Sequence, residues 1–299
     1  MELLEFSYPE VPQIDEQMVL CLGYFDGIHL GHQALIRQAQ KEGYKVGVLT
    51  FDNSPAYILG KISENYYLTS VADKAEYLSD MDIDYLLIMH FDLEVSKLTK
   101  DEFIDNILKP LKPVKLYCGE DYRFGVRAEG EPKYLSYYFD TVIFDTQKFE
   151  GTKISSRDIV KAIQGHNVKK AAELLGKPYR INGLVVDGNH YGRTINYPTA
   201  NLKLDYPYVY PAIGVYMGYA EVLGKRYKAI INIGTHPTVV PLYKPIIEVH
   251  ILDFSGNIYG KDIFVEFIDY IRKEMKFETV DDLIKQLEKD KEKAKSSLQ

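Results

Sequence analysis

The fold of the first half of the chain is decided by residues 23–32, which read GYFDGIHLGH. Before them, residues 18–22 form the apolar run MVLCL, which predicts a buried strand that ends at Gly23. After them, residues 34–39 carry apolar side chains at helical spacing, and the helix breaker Gly43 follows soon after. The pattern therefore predicts a strand, a turn and the N-terminus of a helix, where free backbone N–H groups attract phosphate.

Two histidines lie at this predicted helix start. His29 and His32 are three residues apart and would share one helical face, while Gly31 between them leaves room for a nucleotide to approach the backbone. We expect both imidazoles to face a phosphate group. The alternatives are a surface position, a helix cap, or a zinc site, which is less well supported because Cys21 and Cys118 form no C-x-x-C pair.

The longer pattern resembles the G-x-F-D-x-x-H-x-G-H signature of the nucleotidyltransferase superfamily. Its members transfer a nucleotidyl group from a nucleoside triphosphate. The resemblance implies that His29 and His32 stabilise the triphosphate in the transition state. The ATP-binding residues that it implies in this stretch are Gly23, Phe25, Asp26 and Gly31.

Composition narrows the class of protein. The 299 residues are 46% hydrophobic, which is enough for two domains with real cores. A net charge of −7 argues against a general nucleic-acid surface, and two cysteines in so long a chain fit a reducing compartment. The N-terminus has no signal-peptide pattern, and no apolar run reaches membrane-spanning length. We therefore expect a cytoplasmic protein that binds neither nucleic acid nor membrane.

The first half alternates apolar runs with helical segments, which predicts a mostly parallel sheet with helices on both faces. The predicted strands are residues 46–51, 84–89, 114–118 and 141–144, and the predicted helices are residues 70–81 and 100–108. Ligands of such sheets gather at the carboxyl ends of the strands. The loops after Gly23, Phe51 and Cys118 would all lie there.

The second half changes character near residue 180, after a helical segment at residues 157–177. Short strands are predicted at residues 179–186, 214–222, 227–233, 246–252 and 263–268. Their period-2 pattern and tight turns predict an antiparallel barrel or sandwich. Thr279 is the predicted N-cap of a terminal helix, and the last ten residues are expected to fray.

The second half of the chain contains polar side chains and glycines of the kinds that bind polyphosphate and Mg²⁺. Residues 183–193, GLVVDGNHYGR, form a glycine-punctuated segment that can bring backbone N–H groups to phosphates. Thr199 and Asn201 point the same way in an extended segment, and their oxygens suit Mg²⁺ bridging nucleotide phosphates. Glu248 and His250 share one face of a mostly apolar strand, where Glu248 is either functional or a paired structural carboxylate.

Loops in the first half carry further candidates. Residues 119–125, GEDYRFG, combine acids, an arginine and two aromatic rings that could hold a planar ring and a phosphate. Residues 50–55, TFDNSP, end another predicted strand. An ordinary surface loop is the alternative for both stretches, and a simple N-cap is the alternative for Ser155 or Ser156.

Together these pieces resemble the bacterial bifunctional riboflavin kinase/FMN adenylyltransferase family, also called FAD synthetase, in order and over nearly the whole chain. The matching stretches are residues 23–32, 50–55, 119–125, 154–156, 183–193, 198–201, 232–238, 248–254 and 271–277. The resemblance implies an α/β, Rossmann-like nucleotidyltransferase domain at residues 1–178. It also implies an antiparallel β-barrel riboflavin kinase domain with a terminal helix at residues 179–299.

Two consecutive transferase reactions follow from the resemblance. Riboflavin and ATP give FMN and ADP, with Glu248 as the base for the ribityl 5′-hydroxyl and with Thr199 and Asn201 holding Mg²⁺ and phosphate. FMN and ATP then give FAD and pyrophosphate. The FMN phosphate is already a nucleophile, so His29 and His32 need only stabilise charge and orient ATP.

The resemblance assigns further contacts by residue. Its additional ATP-binding residues are Ser156, Gly183, Gly188, Gly192 and Arg193, and its flavin-binding residues are Asp121, Phe124, Arg272 and Glu274.

The adenylyltransferase half departs from the family pattern. Asn53 and Ser54 stand where the family usually has proline and histidine, and Arg157 and Val160 stand where it has threonine and a phosphate-binding arginine. Two alternatives therefore remain open at this point. One is a riboflavin kinase with a weak or silent adenylyltransferase module, and the other is a non-catalytic flavin- or nucleotide-binding protein.

Overall fold

The structure is a computed structural model that describes residues 1–145, 148–149, 152–188, 191–235 and 245–298, without the side chains of residues 148, 149, 152, 191 and 193. Contacts divide the chain into two compact units, Met1–Ser156 and Arg157–Gln299. The boundary predicted after residue 178 separates the stretches of sequence that carry the two activities, not the two compact units. It stays a prediction.

A six-stranded parallel sheet is the framework of the first unit. Its strands are β1 (Glu2–Phe6), β2 (Met18–Leu22), β3 (Lys45–Phe51), β4 (Tyr85–Met89), β5 (Lys115–Gly119) and β6 (Thr141–Phe144). They lie in the order β1-β4-β3-β2-β5-β6, and all neighbours are parallel. The predicted parallel sheet is confirmed. β1 was missed because it is a largely exposed edge strand with two glutamates among its five residues.

Helices connect these strands. They are α1 (Leu30–Gln40), α2 (Pro55–Ile58), α3 (Val71–Ser79), α4 (Lys100–Phe103), which continues into a π-helical turn (Ile104–Leu108), and α5 (Pro132–Leu135). A two-stranded hairpin of β7 (Lys148–Phe149) and β8 (Thr152–Lys153) follows β6. The helices predicted at residues 70–81 and 100–108 are confirmed, and capping boxes at Ser70 and Thr99 set where they begin.

Both faces of the sheet are buried. Met18, Leu20 and Leu22 of β2 belong to one hydrophobic cluster, and Val19 and Cys21 belong to another. All five side chains are at most 2% exposed. A strand that is covered on both faces needs apolar residues at every position, which explains the uninterrupted MVLCL run.

The sheet also places the ligand crevice. From β2, the chain builds β3 and β4 on one side, whereas β5 and β6 lie on the other side. In open α/β sheets, a crevice forms at the carboxyl ends of the strands where the order reverses in this way. Residues 23–32 follow β2 directly and therefore border this crevice.

The second unit contains a closed antiparallel barrel, which decides between the predicted barrel and sandwich. Its strands are β9 (Tyr179–Val186), β10 (Ala200–Lys203), β11 (Gly214–Val222), β12 (Lys225–Gly234), β13 (Ile246–Ile251) and β14 (Asp262–Arg272). They close in the order β10-β13-β12-β11-β14-β9. Closure leaves no sheet edge unpaired.

Within the described residues, the helices that accompany the barrel strands in sequence are α6 (Ser156–Gln164), α7 (Val168–Leu175), α8 (Tyr191–Thr194) and α9 (Val280–Ser297). The single helical segment predicted for residues 157–177 is two helices. His166 has a left-handed backbone (φ 63°), and Asn167 then caps a new helix. Gly176 ends that helix in the left-handed conformation, as its position in the sequence predicts.

Helix α9 packs against the outer face of the barrel wall. Its residues Ala294 and Leu298 share a hydrophobic cluster with Val215 and Met217 of β11. Thr279 caps the helix as predicted. Because a helix lies outside a closed barrel, the side chains in this cluster mark the outer face of the wall.

The expectation that the last ten residues fray is wrong. The helix extends to Ser297, and Leu298 is only 5% exposed. Lys228 of β12 donates to the backbone carbonyls of Lys295 (3.1 Å) and Leu298 (2.5 Å). These bonds satisfy carbonyl groups at the helix end. Among the described residues, no helix is both long enough and apolar enough to cross a membrane.

Candidate active sites

A cavity of about 470 Å³ opens in the crevice of the first unit. Its wall includes Gly23, Phe25, His29, Gly31 and His32, together with residues that follow β3, β5 and β8. This size is sufficient for a nucleotide-like ligand. The structure thus brings together residues from the ends of several strands, as the sheet topology requires.

The turn between β2 and α1 has an unusual backbone. Phe25, Gly27 and Ile28 have φ values of 50°, 80° and 44°. Left-handed residues other than glycine cost on the order of 1 kcal/mol or more, and they persist only where the surroundings hold them. Phe25 and Ile28 are each 1% exposed, so their burial in the core holds the turn.

Asp26 anchors the same turn from beneath. Its Oδ1 accepts the backbone N–H groups of Leu68 (3.0 Å) and Thr69 (3.1 Å), and the hydroxyl of Thr69 accepts the N–H of Gly27 (3.0 Å). Burial raises the pKa of the Asp26 carboxyl. This geometry favours a supporting role for the carboxylate, whereas the resemblance implied an ATP contact.

The two histidines form a stacked pair. Their ring centroids are 3.6 Å apart, and the ring planes differ by 16°. His29 is the N-cap of α1, since its Nδ1 accepts the backbone N–H of His32 at 3.3 Å. A neutral ring whose Nδ1 accepts a hydrogen bond carries its proton on Nε2. The Nε2–H group of His29 is therefore a donor.

Burial keeps both rings neutral at pH 7. It lowers the pKa of His29 to about 4. Burial, reinforced by the positive charge that His29 and Lys74 would carry, lowers the pKa of His32 well below its usual range. Neutral imidazole N–H groups on a cavity wall are suited to stabilise developing phosphate charge.

The loop after β5 contributes differently from the prediction. Asp121 lines the cavity and pairs with Lys153. Phe124 is only 5% exposed and packs against Phe103 in the hydrophobic core. The aromatic ring of this loop on the cavity wall is Tyr122, which stacks on Phe124 with centroids 5.9 Å apart. Phe124 therefore supports the cavity wall from within the core, and Tyr122 is the aromatic residue of this loop that lines the cavity. The flavin contact predicted for Phe124 stays a prediction.

Ser156, the last residue of the first unit, is hydrogen-bonded to the histidine-bearing turn. Its hydroxyl donates to the backbone carbonyl of Asp26 at 2.9 Å, and the residue lines the cavity. Ser54, one of the departures from the family pattern, is buried, and its backbone N–H donates to the Tyr67 hydroxyl. Pro55 beside it reaches the cavity wall.

A second cavity, of about 340 Å³, lies in the second unit between the outer barrel face and α9. Asn201, Glu248 and Asn232 stand directly opposite one another on β10, β13 and β12. Directly opposed residues in an antiparallel sheet point to the same face. The three polar side chains therefore form a row on the cavity wall, and Asn232 Nδ2 donates to Glu248 Oε2 at 3.4 Å.

Close packing explains two of the three predicted glycines near this row. A Cβ at Gly188 would lie 2.1 Å from Nδ2 of Asn201, and one at Gly192 would lie 2.2 Å from the carbonyl oxygen of Tyr197. Any larger residue would displace the segment that carries Thr199 and Asn201. Gly192 and Thr199 both line the cavity.

Gly183 belongs to the strand predicted at residues 179–186, apart from the glycines nearer the second cavity. It lies within β9, opposite Ile263. A Cβ there would lie 2.9 Å from the Leu204 side chain, so this glycine serves barrel packing. The side chain of Arg193, and residues 189–190 and 236–238 of the predicted stretches, lie outside the described residues.

Arg272 and α9 close the other end of the second cavity. The guanidinium donates from Nε (2.9 Å) and Nη2 (2.8 Å) to Oδ2 of Asp290, a side chain that is only 2% exposed. The Gln286 amide donates to the other carboxylate oxygen at 2.8 Å. Glu274 lies on the same wall, where burial and the charge of Glu248 raise its pKa.

A third cavity, of about 270 Å³, adjoins the second one. Its lining is mostly apolar and includes Pro198, Phe254, Ile258 and Tyr259. Thr199 lines both cavities. A ligand with a flat apolar end and a charged tail would place the tail at Thr199 when its flat end fills the third cavity.

Three residues of these sites escaped the sequence analysis as individual candidates. Asn232 appeared only as the first residue of the matching stretch 232–238, and Tyr122 only as one of two rings in residues 119–125. Asp290 was hidden in the lysine- and glutamate-rich tail. Asp290 continues, at helical spacing, the apolar stripe formed by Leu283 and Leu287, and that spacing is the sequence signal that would have revealed it. All three residues line the second cavity.

A metal ion at the wall of the second cavity would have to be bound by neutral oxygen atoms. Across the part of the chain that the structure describes, no three His, Cys, Asp or Glu side chains come together as a metal site. The hydroxyl of Thr199 and the side-chain carbonyl of Asn201 are hard oxygen ligands of the kind that Mg²⁺ shares with nucleotide phosphates. The donor set at this wall therefore fits magnesium.

Two family models match the chain, one to each half. The model described as FAD synthetase matches residues 11–161, and the model described as riboflavin kinase matches residues 175–298. The first match contains the histidine pair, and the second contains the row of Asn201, Glu248 and Asn232.

Several similar proteins are named bifunctional riboflavin kinase/FMN adenylyltransferase. The protein from Listeria monocytogenes is 38% identical over 93% of this chain and 91% of its own length. The one from Bacillus subtilis is 34% identical over 98% and 97%. A solved structure from Streptococcus pneumoniae, described as a macrolide-efflux protein, is also 34% identical, with a TM-score of 0.91 over 98% of both chains.

Proposed function

The chain belongs to the bifunctional riboflavin kinase/FMN adenylyltransferase family, and from that membership we propose how its two units divide the chemistry. The protein is a transferase that phosphorylates riboflavin to FMN and then adenylylates FMN to FAD, with ATP as the second substrate of both reactions. The alternatives of a silent module and of a non-catalytic binding protein are thereby set aside. Residues 1–178 would carry FMN adenylylation, and residues 179–299 riboflavin phosphorylation.

The row of Asn201, Glu248 and Asn232 is the observation that supports the kinase site. We assign Glu248 as the base that takes the proton of the ribityl 5′-hydroxyl. Asn232 holds the carboxylate through its 3.4 Å contact, so that one oxygen faces the cavity. The resulting alkoxide attacks the γ-phosphorus of ATP, and ADP leaves.

The two adjoining cavities suggest how both substrates lie. Adenine would fill the apolar third cavity beside Phe254 and Tyr259, which brings the triphosphate past Thr199 to Glu248. The flavin would lie in the second cavity, whose far wall contains Arg272 and Glu274. Gly188 and Gly192 leave space for the segment that carries the phosphate-binding side chains.

Thr199 and Asn201 would hold Mg²⁺ together with phosphate oxygens. A magnesium ion held by these two side chains would supply positive charge that offsets the phosphate charge during the transfer. Thr199→Ala should raise the Mg²⁺ concentration needed for half-maximal FMN formation, while Thr194→Ala on the exposed end of α8 serves as a matched control. Equal requirements in both variants would remove Thr199 from the metal site.

The stacked histidines support the adenylyltransferase site. The Nε2–H of His29 would donate to the triphosphate as the FMN phosphate attacks the α-phosphorus and pyrophosphate leaves. Gly23 and Gly31 leave the backbone accessible, and Ser156 contacts phosphate from the start of α6. Asp121 and Tyr122 would contact the FMN.

One assay tests both assignments. The purified protein is incubated with riboflavin, ATP and Mg²⁺, or with FMN, ATP and Mg²⁺, and FMN and FAD are separated by chromatography. Glu248→Gln should abolish FMN formation and leave FAD formation from added FMN intact, whereas Glu221→Gln on an exposed barrel position should change neither. His29→Ala combined with His32→Ala should have the reverse effect. Loss of both activities in either folded variant would contradict separate sites.

We also propose a cytoplasmic location. Cys21 and Cys118 are buried free thiols, which fits a reducing compartment that supplies ATP. Fractionation of cells followed by immunodetection of the protein would test this, and recovery outside the cytoplasmic fraction would contradict it.

A further inference from the structure

A buried lysine lies beneath the adenylyltransferase cavity and has no part in the chemistry described above. Lys74 is on α3 and is only 2% exposed. Its ammonium group donates to the backbone carbonyls of Tyr24 (3.1 Å) and Phe51 (3.3 Å) and lies 4.5 Å from the centre of the Tyr24 ring. A lysine is rarely buried so completely unless its charge is compensated.

The carbonyls that Lys74 binds come from the ends of two neighbouring strands. Tyr24 follows β2 and begins the histidine-bearing turn, and Phe51 is the last residue of β3. Thr50 completes the contact, because its hydroxyl donates to the Tyr24 carbonyl at 2.7 Å and lies 3.4 Å from the ammonium group. Both Tyr24 and Phe51 line the cavity. Lys74 thus connects two sides of the cavity floor.

The position of the Tyr24 carbonyl matters for the strained turn. That carbonyl belongs to the peptide unit that precedes Phe25, the first left-handed residue. Holding the peptide plane fixes how the chain enters the turn and therefore where His29 and His32 lie. Asp26 also fixes this turn, through its bonds to Leu68 and Thr69. A buried cation and a buried carboxylate thereby hold the turn together.

We propose that Lys74 is a positioning residue for adenylyl transfer, whose ammonium charge holds the histidine-bearing turn in its reactive geometry. Lys74 acts through the Tyr24 carbonyl and does not touch the substrates. This inference rests on the proposed location of FMN adenylylation in the first unit.

The surroundings of Lys74 give its charge a distinctive pH dependence. Burial lowers its pKa to about 8, although the carboxylates of Asp26 and Asp52 oppose that shift. The other groups nearby are His32, whose pKa Lys74 lowers, and His90, whose Nδ1 is 2.5 Å from the Asp52 carboxylate. The ammonium charge is therefore lost as the pH rises through about 8.

Activity and stability should respond to this loss in opposite directions. Between the folded pKa of about 8 and the usual value of 10.5, the unfolded chain binds more protons at this residue than the folded chain does. Lys74 therefore makes the folded state more stable as the pH rises through that interval. A purely structural lysine would follow this trend, whereas a positioning charge would cause FAD formation to fall.

The test uses Lys74→Met, which keeps most of the stem and removes the charge, and Lys74→Arg, which keeps the charge at all accessible pH values. Lys97→Met, at an exposed position of the same unit, is the matched control. FAD formation from FMN and ATP is measured from pH 6 to pH 10, and FMN formation from riboflavin is measured in the same preparations.

Lys74→Met should lower kcat for FAD formation about 100-fold, the usual effect of misplacing a catalytic group by roughly 1 Å. FMN formation should stay within about twofold of wild type. Wild-type FAD formation should fall above pH 8, and that alkaline fall should be absent from Lys74→Arg. Wild-type kcat in Lys74→Met, or the same alkaline fall in Lys74→Arg and wild type, would overturn the proposal.

Two outcomes separate this inference from the proposed function. If Lys74→Met does not fold, the comparison of the pH profiles of Lys74→Arg and wild type decides alone. If the His29→Ala, His32→Ala variant retains FAD formation, the proposed adenylyltransferase site is wrong. If that variant is inactive while both Lys74 variants match wild type at every pH, only the positioning role is wrong.

Discussion

Mild acid should destabilise the first unit through its stacked histidines. The pKa of His29 is about 4 in the folded protein because of burial, against a usual value of 6.5. Between these values the unfolded chain binds more protons than the folded chain, so the free energy of unfolding falls as the pH falls. One pKa unit corresponds to about 1.4 kcal/mol, so His29 alone should remove about 2 kcal/mol between pH 7 and pH 5. His32 adds to the loss with the same sign.

A double variant isolates this contribution. His29→Asn keeps an N-cap acceptor for α1, and His32→Gln keeps a polar side chain, but neither replacement titrates. Carboxyl groups titrate equally in the variant and in wild type, so they cancel when the two acid-induced losses are compared. Only the histidine contribution remains in that difference.

Hydrogen exchange of the β2 amides is a suitable measurement, because a chain with two units need not unfold in one transition. The protection of these amides gives the free energy of opening of the first unit at pH 7 and pH 5. We expect wild type to lose at least about 2 kcal/mol more than the double variant. Equal losses in both proteins would refute the conclusion that the pair is buried and neutral.

Other substitutions test the kinase site. Gly188→Ala should lower FMN formation at least tenfold, because its Cβ would lie 2.1 Å from Asn201 Nδ2. FAD formation from added FMN should stay unchanged. FMN formation equal to that of wild type would contradict the close packing. Asp290→Asn removes the carboxylate that pairs with Arg272, and breaking a buried ion pair costs about 3 kcal/mol. This variant should raise KM for riboflavin and weaken the hydrogen-exchange protection of α9. Unchanged values of both would show that the ion pair is not needed. Asn232→Ala should lower kcat for FMN formation more than it raises KM, and a pure KM effect would contradict its contact with the base.

Periodicity predicted most of the framework. The run MVLCL and the four later apolar runs predicted five strands of the sheet, β2 to β6, and the burial of β2 on both faces explains why its signal was strong. Five of the six barrel strands were equally visible because inward and outward residues alternate, whereas β10 was seen only as an extended segment around Thr199 and Asn201. β1 was missed because its exposed edge position permits glutamate at two of its five residues.

The sites were predictable where chemistry depends on residue type and spacing. His29 with His32, and Asn201 with Glu248, were chosen on that basis, and the structure places each pair on one cavity wall. The contributions of Phe124 and Gly183 depend on which side of a loop or strand faces the core, which the local sequence does not encode. The importance of Lys74 depends on burial by residues distant in the chain and was equally hidden.

The alignment of Asn201, Glu248 and Asn232 across three strands has a consequence for folding experiments. If β10 paired with β13 one position out of step, Asn201 would turn into the barrel and the apolar Ala200 or Leu202 would take its place. Such molecules would be compact and rich in β-structure, yet unable to phosphorylate riboflavin. Recovery of FMN formation after refolding therefore measures the fraction of molecules whose barrel strands are correctly paired. Recovery of the spectroscopic signal of β-structure alone would overestimate that fraction.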